Sequence, residues 1–294
     1  MKRKNMNILM LTLIVTLSMT ACGKDVSQNS QDSQENPQEA SQETQQEIPK
    51  EEVVSADNKE NGSVDKGGTL FEHTDESSVE YKAEDGTVIL NSKTEIPVVD
   101  ITYNEEAAKA INDYFKTNKV EEKVWEMSLE ESVKWAKEDY ESRSKAVGNW
   151  NAYELDTSYS VKRLDDAVVS FVTEGYSYMG GAHPNTIQAA LNFDTQTGKK
   201  LMLSDAVMDE TKAKQTILEN ILQQTKQEQY KGMFFENYEE HLSEILTEDT
   251  WYLGKDGFHV IGNHYLIAPY AAGGFDFIIP YEQADFLNEK YRMS

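Results

Sequence analysis

Apolar and polar residues alternate along the middle of the chain in the pattern of half-buried β-strands. Between residues 153 and 162, the odd positions carry Tyr, Leu, Thr, Tyr and Val, and the even positions carry Glu, Asp, Ser, Ser and Lys. The same period of two resumes over residues 169–173 and 187–193. A strand with one apolar and one polar face is typical of antiparallel sheet. We therefore predict antiparallel strands throughout this region.

Helical periodicity flanks these strands on both sides. Asn104 is a suitable N-cap for a helix in which Ala107, Ile111 and Phe115 recur every four residues. A second helix is predicted across residues 125–140, where we expect Trp125 and Trp135 to be packing residues. The spacing of apolar residues predicts a third helix over residues 211–229 and a shorter fourth helix over residues 238–246.

The remaining ordered segments have strand and turn character. A hairpin is predicted around Asp85-Gly86, followed by an extended stretch that Pro97 interrupts. Further short strands are predicted at residues 201–203, 251–253, 258–261, 265–267 and 275–279. Helical and strand blocks follow one another without a regular βαβ alternation. The prediction is an α+β fold with helices packed on antiparallel sheet, and this pattern argues against a Rossmann-type nucleotide site.

The first residues have the pattern of an export signal. Basic residues at positions 2–4 precede an apolar run over 8–17 that is too short to span a bilayer. Ala21 and Gly23 flank Cys22, the single cysteine of the chain, in an arrangement that resembles a bacterial lipobox. Residues 1–21 are therefore interpreted as a lipoprotein signal peptide. Cys22 is predicted to be lipidated and to anchor an extracytoplasmic protein to the membrane, most simply in a Gram-positive cell.

The next segment is almost devoid of apolar residues. Residues 22–70 are dominated by Gln, Ser, Glu, Asn and Asp. Such a composition buries too little surface to offset the conformational entropy of the chain, so a disordered tether is predicted. The formal net charge of the whole chain is −24. This acidity argues against nucleic acid as a partner and favours either simple solubility or a cationic partner.

Motifs for catalysis and metal binding are absent from the sequence. There is no H-E-x-x-H, no cysteine pair and no G-x-S-x-G motif, and no cofactor is predicted. His259 and His264 flank a predicted turn at Gly262-Asn263, but two histidines do not define a metal site. Carboxylates are too numerous for any pair to be singled out, so a glycan hydrolase with unidentified carboxylates stays an alternative.

The stretch "YMGGAHPNT" at residues 178–186 is the most distinctive loop. Gly180 and Gly181 permit positive φ and Pro184 restricts His183, which are the requirements of a turn between two strands. The alternative is an exposed aromatic patch for sugar stacking or protein contact, formed by Tyr176, Tyr178 and His183. "APYAAGG" at residues 268–274 has the same character and presents Tyr270.

Three stretches together carry a resemblance to a known family. "GGAHPNT", "NFDTQTGKKLMLSDAV" and "LIAPYAAGGFDFIIPYEQ" resemble the C-terminal domain of anti-sigma-V factors of the RsiV type, here predicted for residues 179–290. Residues 75–178 resemble the companion domain that RsiV shares with the peptidoglycan deacetylase PdaC. The two segments are expected either to share one core or to form two domains.

The resemblance implies an extracellular binding module. RsiV-type modules are lysozyme receptors, so a lysozyme-like protein is one expected partner and peptidoglycan is another. Sigma-factor regulation and deacetylation are not carried over, because the sequence offers neither a sigma-binding segment nor a separate deacetylase domain. We thus predict a non-enzymatic, lipid-anchored binding protein with Tyr176, Tyr178, His183 and Tyr270 as contact residues. A purely structural envelope lipoprotein is the remaining alternative.

Overall fold

The structure is a computed structural model and describes residues 53–54, 59–65, 68–147 and 150–293. Side chains are described from residue 74 onward, apart from residues 144–149. All of these residues belong to one compact unit. The predicted signal peptide, Cys22 and most of the predicted tether lie outside the described residues.

The strands and helices follow the chain in two blocks. The first block contains β1 (Val53–Val54), β2 (Lys59–Asp65), β3 (Gly68–Lys82), β4 (Val88–Ile101), α1 (Glu105–Thr117), α2 (Val120–Trp125), α3 (Leu129–Val147), β5 (Tyr153–Leu164), β6 (Val168–Tyr178) and β7 (Asn185–Asp194). The second contains α4 (Leu203–Ala206), α5 (Glu210–Thr225), α6 (Tyr238–His241), β8 (Trp251–Leu253), β9 (Gly257–Gly262) and β10 (Phe275–Pro280). We call residues 68–194 the N-terminal module and residues 203–293 the C-terminal module.

The strands of the first block form one large sheet. Its order is β1-β3-β4-β5-β6-β7, and β2 also pairs with β3. The predicted hairpin at Asp85-Gly86 joins β3 to β4, but Pro97 does not interrupt β4, where it lies opposite Thr74. The pairing of β4 with β5 is parallel, with α1–α3 forming the crossover connection. The prediction of purely antiparallel pairing is therefore wrong at this one position.

The helices of the crossover begin and end where local chemistry dictates. Asn104 caps α1 as predicted, since its side chain accepts a hydrogen bond from the Ala107 amide at 3.2 Å. The predicted second helix is in fact two helices, because Glu126 adopts a left-handed conformation with φ of 58°. A capping box between Ser128 and Glu131 starts α3. Trp125 is buried, whereas Trp135 is 52% exposed and is not the packing residue that its spacing predicted.

The two faces of the large sheet have different coverings. Phe171, Leu191 and Phe193 point to one face, where they pack with Phe115 of α1. On the same face, a Cβ atom added at Gly175 would lie 2.5 Å from the Val124 side chain, so glycine permits α2 to approach β6 closely. The opposite face is covered only in part by the C-terminal module.

The C-terminal module is a small antiparallel sheet backed by a helix. Its strand order is β10-β9-β8. One face packs with Ile217 and Ile221 of α5, which ends at Thr225 rather than at the predicted residue 229. The strand predicted at residues 201–203 is absent, since the short helix α4 begins at Leu203, and residues 265–267 form a turn instead of a strand. In both places two or three apolar residues are too few to distinguish strand from other structure.

The two modules pack against each other through their sheets. Val172 and Ala190 on the large sheet form one buried cluster with Tyr252 and Ile261 on the small sheet. Buried Arg163 of β5 also donates hydrogen bonds to the Tyr281 hydroxyl at 2.8 Å and to the Tyr291 carbonyl at 2.6 Å. The modules therefore share buried contacts within one compact unit. The predicted α+β class is confirmed.

Two predicted boundaries need correction. Residues 59–65 and 68–70, which their composition assigns to the tether, form β2 and the start of β3, because strand pairing supplies the backbone with partners that composition does not reveal. The predicted boundary between residues 178 and 179 falls inside the β6–β7 hairpin. Since β7 pairs with β6 along ten residues, the large sheet continues to Asp194. Within the described residues, no helix is long and apolar enough to cross a bilayer.

Candidate functional site

Two of the four predicted contact residues meet at the junction of the modules. His183 lies in the β6–β7 loop and Tyr270 in the loop before β10, and their rings stack with centroids 4.2 Å apart at an angle of 21°. His264 and Tyr265 also contact the Tyr270 ring, with centroid distances of 4.7 and 5.8 Å. We call these four residues the aromatic junction. The sequence did not predict this association, because His183 is far along the chain from the other three residues. The two loops themselves were both distinctive in the sequence.

Hydrogen bonds fix the imidazole of His183 within the aromatic junction. Its Nδ1 lies 2.7 Å from the Pro184 carbonyl oxygen, which only accepts, so Nδ1 carries the proton. Its Nε2 then accepts from the Tyr265 hydroxyl at 3.2 Å. Tyr265 is 54% exposed and has a φ of 65°, in the left-handed region that costs a non-glycine residue about 1 kcal/mol or more. The loop therefore holds an exposed tyrosine in a strained position.

The other two predicted contact residues line a separate, open depression. Tyr176 and Tyr178 project from the end of β6, and both are half-buried. The Tyr178 hydroxyl donates to the Gly181 carbonyl at 3.2 Å, which braces the loop. His183 forms the edge of the depression, and Trp150 lies in it with its indole Nε1 buried and without a hydrogen-bond partner. The depression thus combines three aromatic rings with polar neighbours.

Carboxylates from β5 accompany these tyrosines. In the strand register, Glu154 lies opposite Tyr178, and Asp156 lies opposite Tyr176. Burial raises the pKa of Asp156, and the neighbouring charge of Glu154 raises it further. Burial, together with the charges of Glu154 and Asp156, also raises the pKa of the Tyr176 hydroxyl. The aromatic surface is therefore acidic as well as apolar.

A cleft lies between the two sheets beside the aromatic junction. Its volume is about 350 Å³, and both modules line it. Lys162, Glu174 and Gln188 come from the large sheet, and Tyr252, His264 and Asp276 come from the C-terminal module. Alternation along β6 explains this composition, because Val172, Glu174 and Tyr176 share the face opposite to the helices. Val172 lies beneath the small sheet, and Glu174 lies where that cover ends.

A buried histidine contacts Asp276 and Tyr252, two of the residues that line this cleft. His259 is 4% exposed, and its Nε2 lies 2.8 Å from Asp256 Oδ1, while its Nδ1 lies 3.0 Å from Asp276 Oδ1. Ionised carboxylates only accept hydrogen bonds, so both ring nitrogens must donate and the imidazole is cationic. Burial opposes the charge, but the bonds to Asp276 and Asp256 outweigh it and raise the pKa of His259. Neither nitrogen is free to act as a base.

Several residues at these sites could not be singled out from the sequence. Trp150 and Lys162 have no distinctive neighbours, and the partners of His259 lie 3 and 17 residues away along the chain. His259 and His264 do not act as a pair, since they belong to the carboxylate network and the aromatic junction respectively. For His264, the sequence feature that indicated a loop position was the predicted turn at Gly262-Asn263. In the part of the chain with described side chains, no group of three or more His, Cys, Asp and Glu residues is arranged to hold a metal.

The geometry defines a two-module α+β protein whose most unusual surfaces lie where the modules meet. Residues 83–186 match the family described as Deacetylase PdaC, and residues 204–282 match a family of unknown function, DUF3298. The chain therefore contains a PdaC-type domain followed by a DUF3298 domain, which confirms the arrangement inferred from its resemblance to RsiV and PdaC. His183 lies in the first matched segment and Tyr270 in the second.

A solved structure of the DUF3298 family is similar in fold to this chain. A crystal structure of a member from Bacteroides fragilis NCTC 9343 aligns with 83% of this chain and 96% of its own, at a TM-score of 0.54 and 18% identity. At that identity the likeness extends to the fold alone. A DUF3298 family protein from Pseudomonas aeruginosa PAO1 aligns with 82% of this chain and 98% of its own, at a TM-score of 0.44 and 15% identity. Among curated proteins, none matches this chain.

Proposed function

We propose that this protein is a lipid-anchored, extracytoplasmic binding protein that captures a cationic protein of the lysozyme class. Cys22 would carry the lipid, and the residues after it would hold the folded modules away from the membrane. The contact surface would be the aromatic junction together with Tyr176 and Tyr178. Binding without chemistry is the function, and the ligand is recognised by surface complementarity.

The observation that carries this proposal is the exposed position of Tyr265. Its ring is 54% exposed, its backbone is strained, and its hydroxyl bonds to His183 of the other module. Large aromatic side chains that are held rigidly supply contact area at a low entropic cost, which is typical of binding surfaces. Strained non-glycine residues also concentrate at ligand-binding loops, where the surrounding structure compensates for the strain.

The charge of the chain supports a cationic ligand. The formal net charge is −24, and Glu154 and Asp156 lie beside Tyr176 and Tyr178. Such a field accelerates the encounter with a basic partner and discriminates against acidic ones. It also implies a salt dependence, because interactions of exposed charges are screened over about 8 Å at physiological ionic strength.

The direct test is biolayer interferometry of the full-length chain against a c-type lysozyme at low and physiological salt. We expect binding that weakens with salt but persists at physiological salt, since aromatic contacts are not screened. Tyr265→Ala and His183→Ala should each weaken the affinity tenfold or more. Trp135→Ala is the matched control, because this tryptophan is 52% exposed but lies on α3, behind the other face of the large sheet. Binding that disappears at physiological salt, or equal loss in the control, would refute the proposal.

A second candidate ligand is a wall glycan, which the open depression favours. Trp150, Tyr176 and Tyr178 offer ring faces for sugar stacking, and the Trp150 indole nitrogen lacks a partner. A glycan hydrolase would further require two carboxylates. Glu154 lines the depression, and Asp156, whose pKa is raised, follows two residues later on the same strand. Incubation of purified peptidoglycan with the wild-type chain and with Glu154→Gln separates the two ideas. Release of reducing ends by the wild type alone would indicate hydrolysis, and retention without release would indicate binding.

A further inference from the structure

The cleft between the two sheets has the composition of a small-ligand site that is separate from the exposed aromatic surface. Its volume of about 350 Å³ lies at the lower end of the range for small-molecule sites, roughly 300–1,000 Å³. Both modules contribute walls, and ligand sites occur preferentially at such domain interfaces. The cleft therefore exists only when the two modules are packed together.

The cation of this cleft is placed there by an irregularity in the sheet. The register between β5 and β6 shifts between Val161 and Arg163, and Lys162 is the residue left without a strand partner. Bulges of this kind redirect a side chain and are frequent beside functional sites. The Lys162 ammonium lies 5.8 Å from the centroid of the Tyr252 ring. Among the described residues, no carboxylate lies within ion-pair distance of it, although two carboxylates line the same cleft.

The two carboxylates of the cleft differ in how far they are already satisfied. Asp276 accepts from Tyr252 at 2.6 Å and from the cationic His259 at 3.0 Å, so its charge is compensated. Glu174 accepts only a neutral hydrogen bond, from the Gln188 amide at 2.7 Å through one of its two oxygens. Glu174 is consequently the anion of the cleft that can receive a cationic group. Lys162 is the corresponding cation for an anionic group.

His264 adds a third polar group, which lacks a hydrogen-bond partner at Nδ1. Its ring lines the cleft, and its Nδ1 is buried without any hydrogen bond. A buried polar atom without a partner costs about 1–3 kcal/mol, so a hydrogen-bond partner at this position would be stabilising. A ligand in the cleft would supply that partner.

We propose that this cleft binds a small zwitterion of the amino-acid or dipeptide class. The ligand carboxylate pairs with Lys162, and its ammonium group pairs with Glu174. His264 Nδ1 hydrogen-bonds the ligand, and the face of Tyr252 supports its apolar part. This assignment shares His264 with the aromatic junction, but its two charged residues, Lys162 and Glu174, do not belong to the contact surface proposed above.

Isothermal titration of the full-length chain with three probes tests the assignment. Alanylalanine carries both charges, N-acetylalanylalanine lacks the ammonium group, and alanylalanine amide lacks the carboxylate. We expect alanylalanine to bind and each analogue to bind at least tenfold more weakly. Equal affinities for the three probes, or no binding of alanylalanine at millimolar concentration, would overturn the proposal.

Variants then assign the two charges to their residues. Lys162→Met should weaken alanylalanine at least tenfold and remove its advantage over the amide. Glu174→Gln, which preserves an acceptor for Gln188, should remove its advantage over the acetylated probe. Lys116→Met, a substitution of an exposed lysine on α1, is the matched control and should leave all three affinities unchanged. Wild-type affinity in a folded Lys162→Met protein would contradict the assignment, and the three-probe comparison stands even where a variant fails to fold.

Discussion

His183 and Tyr270 stack their rings 4.2 Å apart although they come from two different family domains. The stack joins the β6–β7 hairpin loop of the PdaC-type domain to the loop that precedes β10 of the DUF3298 domain. Since the sheets of these domains also share a buried cluster, the loops are held on a rigid base. The aromatic junction is therefore formed by both domains together, and each domain alone would present only part of it.

The stack should be measurable as a coupling free energy. In a double-mutant cycle, His183→Ala and Tyr270→Ala should show a coupling of about 0.5–1.5 kcal/mol in the free energy of unfolding, the usual range for paired aromatic rings. Urea denaturation of the four proteins gives this value. His241 is half-buried and hydrogen-bonds Glu244, so His241→Ala combined with Tyr270→Ala serves as control and should be additive. Additivity of the first pair would show that the stack contributes nothing.

The bonds between His259 and the carboxylates of Asp256 and Asp276 should make the free energy of unfolding depend on pH. The pKa of His259 is raised in the folded state, so its contribution is complete below the unfolded value of about 6.5 and is lost as the pH rises through the folded pKa. Burial opposes ionisation of Asp276, but the bonds from His259 and Tyr252 lower its pKa, so its contribution is lost as the pH falls below about 4. Stability from this network is thus greatest between these limits.

Replacement of the histidine tests this linkage. His259→Gln should lower the free energy of unfolding at pH 6 by about 1–3 kcal/mol, because a neutral side chain leaves Asp276 without its charged donor. The penalty should shrink as the pH rises, since the wild-type protein itself loses the charge. Urea denaturation from pH 5 to 9 gives both curves, with His241→Gln as control. A penalty that is constant across this range would argue against a cationic His259.

Gly175 should be intolerant of any side chain. A Cβ atom at this position would lie 2.5 Å from the Val124 side chain and 2.7 Å from its carbonyl oxygen. Because the backbone of α2 cannot retreat without losing its packing, Gly175→Ala should destabilise the protein by about 1–3 kcal/mol. Gly181→Ala is the control, since its nearest neighbour is 3.6 Å away. Thermal unfolding should separate the two variants, and equal midpoints would disprove the close approach of α2.

Arg163 should couple the unfolding of the two domains. Its guanidinium is 3% exposed and bonds to Asp165 at 2.5 Å, to the Tyr281 hydroxyl and to the Tyr291 carbonyl. Arg163→Met removes a buried charge and leaves its partners unsatisfied, so we expect a loss of about 3 kcal/mol or more.

The same variant should change the cooperativity of unfolding. The wild type is expected to unfold in one transition, and Arg163→Met in a broader or split transition with the C-terminal module unfolding first. Calorimetry and hydrogen exchange of the β8–β10 amides report these events. As a control, Arg143→Met replaces an arginine that is 56% exposed and should cost less than about 0.5 kcal/mol. A single sharp transition with unchanged midpoint would show that Arg163 does not join the domains.

The local elements and the distinctive loops could be predicted from the residue pattern. The alternation over residues 153–162, the Asn104 cap and the Asp85-Gly86 turn each specify a structure within a few residues, because burial of one face and satisfaction of backbone groups are local requirements. The same locality singled out His183 and Tyr270. The parallel pairing of β4 with β5, the stacking of those two rings and the position of Lys162 and Glu174 in one cleft could not be predicted in this way, because they arise from packing between distant segments. Periodicity records which face of a strand is buried, but the partner on that face comes from a distant part of the chain, and only packing selects it.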